Sequence, residues 1–216
     1  MYILNPEAAR QGDTVGGFIT ETGRYVGKFL RAEKLISAKA QTDGIGFTFK
    51  ASDGREARFD IWTQKADGTA LPGLNTINAM MTCLQLRELR ATSQKVKRWD
   101  ADAGRDTEQV VPCFEALMNK DIGVLLRSEE YEKQSNGMPT GETGWKMGLF
   151  AVFQAASGLM ATEILARRTS AEMLDNVVLS LRDKPLRKKS MASAGAGAAD
   201  HGGYSGPSML DDDVPF

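Results

Sequence analysis

Trp62 stands out of an otherwise regular strand pattern. In Glu56 to Gln64, Ala57, Phe59 and Ile61 fall on one face and Arg58, Asp60 and Trp62 on the other. An indole on a polar face beside a guanidinium has the parts needed to stack a base and contact its phosphate. It equally suits a ring that covers a sheet edge. Lys28, Arg31, Lys34 and Lys50 lie in neighbouring strand-like segments and supply further cations, each also readable as an ordinary surface charge. A second cluster, Lys95-Val96-Lys97-Arg98-Trp99, puts three cations and an aromatic into five residues. It sits in the polar stretch Arg90 to Val111, which reads as a loop. Such a loop would act as a flexible arm closing over a bound strand, or as a solvated charged loop with Trp99 tucked back. Trp145, at the start of a later strand, is open to either use.

Catalytic chemistry has little to work with. The single histidine, His201, lies in a Gly/Ala/Ser-rich stretch. Gly141-Glu142-Thr143-Gly144-Trp145-Lys146 lacks the phosphate-loop spacing, and Gly44-Ile45-Gly46 is too short to cradle phosphates. Glu129-Glu130 reads as a solvated strand end rather than a metal site. Cys83 and Cys113 are far apart without metal-ligand spacing, and suit buried thiols in a reducing compartment. No catalytic residue, cofactor or metal is expected.

These residues need strands to position them. Arg24 to Lys39 predicts a long first strand, curved or bulged, and Asp43-Gly44 a turn. Ile45 to Lys50 alternates, with Ile45, Phe47 and Phe49 on an apolar face read as core. Asp53-Gly54 predicts a hairpin turn, Glu56 to Gln64 a third strand, and Asp67-Gly68 its end. Leu74 to Leu89, with Leu74, Ile77, Met81 and Leu84 at steps of three and four, predicts an amphipathic helix behind Pro72. Asp121 to Tyr131 and Trp145 to Phe153 read as two more strands around a Gly-rich turn, Asn136 to Gly144. Ser170 to Leu181 reads as a short helix with Ser170 as N-cap. Three strands, a helix and two strands is the order of an OB-fold, a five-stranded antiparallel barrel with a helix between strands three and four. The predicted class is mainly β, with an additional C-terminal helix and a disordered C-terminal tail.

The charge is unevenly placed. The 216 residues carry a net −1, yet all 27 Lys and Arg fall before residue 190. Four of the 28 acids, Asp200, Asp211, Asp212 and Asp213, come later, leaving the body at +3. With 42% hydrophobic residues the body can build a core. The domain reading is 1–185 as body, 186–208 as a flexible Gly/Ala/Ser-rich linker, and 209–216 as an acidic tip. The linker would span about 25 Å root-mean-square, at ~5–6 Å times the square root of its length. The start lacks the charge-then-apolar pattern of a signal peptide, and no run of 18 apolar residues occurs; a cytoplasmic protein is expected.

The final residues Asp211-Asp212-Asp213-Val214-Pro215-Phe216 resemble the acidic tip of bacterial-type single-stranded DNA-binding proteins, which commonly end in three aspartates, isoleucine, proline and phenylalanine. Val214 in place of isoleucine is the one departure. The resemblance covers 6 residues, and no body motif maps onto the family residue by residue. It implies a phage-encoded or bacterial protein that coats and protects single strands without sequence preference during replication, recombination and repair. On that reading, the DNA-binding residues are Lys28, Arg31, Lys34, Lys50, Arg58, Trp62, Lys95, Lys97, Arg98 and Trp99. The tip recruits partner proteins, with Phe216 filling a pocket and the aspartates meeting a basic rim. Two alternatives stay open: a strand-annealing or recombination-mediator protein, and a nuclease of DNA metabolism carrying the tip. Homo-oligomerisation is left open.

Overall fold

The structure, a computed structural model, describes residues 16–100, 104–135 and 138–186. These belong to one unit, Met1–Leu186. Strands β1 (Gly23–Ile36), β2 (Asp43–Ala51) and β3 (Glu56–Gln64) form an antiparallel meander. The apolar alternation becomes the core: Phe29, Phe47, Phe49 and Phe59 are buried, and the Phe29 and Phe47 ring centres stand 4.7 Å apart. β1 carries the expected bulge, between Phe29 and Arg31. At the β2–β3 turn, Gly54 has φ +91°, and the Asp53 carboxylate accepts hydrogen bonds from the Arg55 backbone N–H and Nε. The turn expected at Asp43-Gly44 is displaced. Both residues are inside β2, and residues 37–42 make the turn, with Gln41 at φ +50°.

Helix α1 (Pro72–Cys83) starts on its proline and buries Ile77, Met80 and Cys83. It stops short of the predicted Leu89. Gln85 turns left-handed at φ +57°, and the N–H groups of Gln85 and Leu86 close onto the Thr82 and Met81 carbonyls. This is the glycine-type helix stop formed without a glycine. Both cysteines are free and buried, and burial pushes the Cys83 thiol up to about 11.

The largest correction follows. Arg90 to Val111 is not a loop: β4 (Thr92–Asp100) and β5 (Arg105–Cys113) pair residue for residue as a hairpin. After a short 3-10 turn, β6 (Asp121–Ser135) and β7 (Met138–Phe153) form a second, longer hairpin. Most of the expected Asn136–Gly144 turn is strand. Short helices α2 (Ala161–Leu165) and α3 (Met173–Ser180) finish the body. Ser170 does not cap α3; the N–H groups of Glu172 and Met173 donate instead to the buried carboxylate of Glu163. Leu174 and Leu181 cover Leu125 and Phe153 as a second apolar cluster.

The seven strands of the described residues join one antiparallel sheet. One edge of β1 pairs with β2; the other is divided, Gly23–Lys28 with β6 and Glu33 with Cys113 of β5. The chain therefore holds a five-strand run, β3–β2–β1–β6–β7, with the β4–β5 hairpin added beside β1. β3 and β7 approach each other, but among the described residues no hydrogen-bonded ladder joins them, so the sheet is not closed into the five-stranded barrel that was expected. Where β1 leaves β6, residues 183–186 take over the same edge. Lys184 N–H donates to Ser128 O and Glu130 N–H to Lys184 O, while Thr22 joins Asp183 to the Ser128 N–H. Leu186, assigned to the linker from sequence, is still tied to the body by its N–H to the Glu130 carboxylate (3.0 Å). Among the described residues no helix is long and apolar enough to cross a membrane.

Candidate nucleic-acid interface

Residues directly opposite in an antiparallel pair share a face. Across β3, β2 and β1 the register therefore writes four rows on the outer face: Glu56–Lys50–Lys28, Arg58–Thr48–Arg31, Asp60–Gly46–Glu33 and Trp62–Gly44–Leu35. Five of the expected DNA-binding residues, Lys28, Arg31, Lys50, Arg58 and Trp62, thus share one face, opposite the phenylalanine core. Lys34 does not join them. It pairs with Ile45 in a core-facing row and reaches Asp43 at the strand end, 3.8 Å away.

Glycine shapes this face. A Cβ on Gly44 would lie 2.6 Å from Cε3 of Trp62, and one on Gly46 2.8 Å from Cδ1 of Leu35. The two missing side chains let the indole and the leucine settle onto β2. Glu33, only 4% exposed, receives Arg31 Nη1 at 3.2 Å, and Arg31 Nε is buried without a hydrogen-bond partner. Asp60 is open at its edge, but its carboxylate lies low over Gly46. Loss of water there raises its pKa, against the pull of Arg31 and Lys146. Burial lowers the pKa of Lys146, partly offset by Glu129 and Asp60. Lys28 meets Asp121 at 3.5 Å, an exposed pair of little energetic weight.

The Lys95–Trp99 cluster is a strand rather than a flexible arm. Lys95 and Lys97 are exposed on β4, opposite Val110 and Glu108 on β5, with the buried Val96 between them. Arg98 and Trp99 follow at the register positions of Thr107 and Asp106. β4 lies at the sheet edge, and β5 meets β1 at Glu33, so the hairpin extends the sheet that carries the rows above.

Sequence reasoning missed aromatics that are exposed by their neighbours. Phe18 is 63% exposed, with the Arg58 guanidinium 5.7 Å from its ring centre. Its only sequence signal is the out–in step Phe18-Ile19 after two glycines. On the β6–β7 hairpin, Tyr131 lies over Gly144 with Lys146 Nζ 5.8 Å from its ring, and Arg127 stands over Phe150. Trp145, singled out from the sequence, is 54% exposed and lies inside β7 rather than at the start of a strand. The tip, Asp211, Asp212, Asp213, Val214, Pro215 and Phe216, lies outside the described residues. Among the described residues no group of three or more His, Cys, Asp or Glu could hold a metal ion. No protein-family model matches the sequence, and no curated protein matches it.

Proposed function

We propose that this protein binds and protects single-stranded DNA without sequence preference, and recruits partner proteins of DNA replication, recombination and repair through Asp211–Phe216. One observation carries the reading: Lys28, Arg31, Lys50 and Arg58 share the outer face of β1–β3 with an indole laid over Gly44. A single strand needs this combination, cations for its phosphates and flat rings for its bases, with no edge-reading groups. The Glu33–Cys113–Thr92 row puts Arg98 of β4 at an outer-face register position and Lys95 and Lys97 on the other side of the sheet. The β3–β2–β1–β6–β7 run, with α1 between its third and fourth strands in chain order, supports an OB-type reading in which the β4–β5 hairpin is an insertion. On this reading the tip, resembling the acidic end of the single-stranded DNA-binding proteins, offers Phe216 and three carboxylates to a pocket with a basic rim.

The test is a titration of intrinsic tryptophan fluorescence with oligo-dT and with a duplex of equal length, at several salt concentrations. The expected result is quenching by oligo-dT, weaker binding of duplex, and affinity falling as salt rises, since phosphate contacts release counterions. Equal affinity for both, or no salt dependence, overturns the reading.

A further inference from the structure

Phe18 is more exposed than Trp145 or Phe150, yet its backbone is fixed. It forms a parallel bridge to Glu56. On one side Glu56 N–H donates to Gly17 O (2.9 Å), and on the other Ile19 N–H donates to Glu56 O (2.7 Å). Ile19, 2% exposed, is inserted in the main core and anchors the segment. Gly17 holds φ +122°, a conformation that L side chains rarely adopt. The chain therefore uses buried apolar contact and paired backbone to hold an aromatic ring in solvent, giving up the burial that normally stabilises phenylalanine.

The ring is not placed at random. Arg58 lies over it from the neighbouring strand, in the row that continues to Thr48 and Arg31. Trp62 is four residues further along β3, about 13 Å at ~3.3 Å per residue. An arginine and an aromatic thus stand at one end of the β3 face and a second aromatic at the other.

We propose that Phe18 is a second base-stacking residue of the single-strand path, with Arg58 beside it to meet the adjoining phosphate. The proposal rests on the single-stranded DNA reading and extends its path beyond the strands on which that reading stands.

The full chain, wild type and with F18A, F18L or F18Y, is titrated into fluorescein-labelled oligo-dT and followed by anisotropy, with thermal melts by circular dichroism. F18A and F18L should each bind on the order of tenfold more weakly, the scale of one base left unstacked. F18L, which keeps apolar bulk, should melt with wild type, and F18Y, which keeps the ring, should bind like wild type. The salt slope should stay unchanged, because every phosphate keeps its cation. If wild type binds oligo-dT and F18L matches it, Phe18 is not a stacking residue while the functional reading stands. A changed salt slope, or an F18Y as weak as F18L, overturns the proposal in the same way. If wild type binds no oligo-dT, both fall.

Discussion

Trp62 reaches its place on the outer face because its cross-strand neighbour is Gly44: a methyl there would lie 2.6 Å from the indole and 2.9 Å from the Ile61 carbonyl oxygen. Gly44→Ala should therefore lift the ring or strain the strand, destabilising the fold by about 1–3 kcal/mol. Trp62→Ala should weaken oligo-dT binding by ~1–3 kcal/mol if the ring stacks on a base. The two changes act through one group, so in a double-mutant cycle Gly44→Ala should cost little further affinity once Trp62 is gone. Additive losses of affinity would show that Gly44 acts by another route.

Lys95 and Lys97 lie on the sheet face away from the Trp62 row, so replacing both with alanine tests whether a bound strand also wraps onto that side of the β4–β5 hairpin. Both are exposed, so the thermal melt should not move. The slope of log affinity against log salt should become shallower by about 0.7 for each phosphate of a single strand that is no longer neutralised. An unchanged slope would remove that side of the hairpin from the binding surface.

Glu163, 1% exposed, accepts three backbone N–H groups, from Met160, Glu172 and Met173 at 2.7–2.9 Å. These bonds hold its pKa below the usual carboxylate range. A carboxylate with a lowered folded pKa contributes fully above its unfolded value, and the contribution is lost as pH falls through the folded one. Denaturation midpoints should accordingly drop in acid. Glu163→Gln should be less stable at neutral pH and show a flatter acid limb. An identical limb in the variant would assign the acid sensitivity to other groups.

Removing Asp211 to Phe216 should leave the melt of the body unchanged. Oligo-dT affinity should stay equal or rise, most at low salt, because the removed carboxylates no longer compete for the cationic face. Pull-down of replication and repair proteins should fail, and Phe216→Ala alone should reproduce most of that failure, as an anchor in a pocket carries a disproportionate share of interface energy. Weaker DNA binding after truncation would make the tip part of the binding surface.

The β1–β3 meander was legible because three local signals agree there: strict alternation, Asp-Gly at two true turns, and an apolar face of phenylalanines. Asp43-Gly44 misled because the same dipeptide serves inside a strand when the neighbour is a tryptophan that needs the space. The β4–β5 hairpin was hidden because its faces are nearly all polar; Val96, Val110 and Val111 are too few to set a period, and backbone pairing carries it. The end of α1 was invisible because Gln85 does the work expected of glycine. Row membership was only half legible. Arg58 and Trp62 follow from alternation within one strand, whereas the β1 bulge shifts which cations reach that face, moving Arg31 onto it and Lys34 off it. Phe18 could not be found, since its exposure depends on Ile19 being taken into a core built by distant strands.

The strap at residues 183–186 also has a mechanical meaning. It runs parallel to β6 and is fastened by Lys184 to Ser128, Glu130 to Lys184 and Leu186 to the Glu130 side chain. Tension applied at Leu186 along the direction of β6 loads these bonds together, in shear. The same tension applied across β6 opens them one at a time, beginning at Leu186. The body therefore resists a pull toward the β6–β7 hairpin tip and yields to one directed away from the sheet, and what yields is the strap, before the longer ladder between β1 and β6 bears any load.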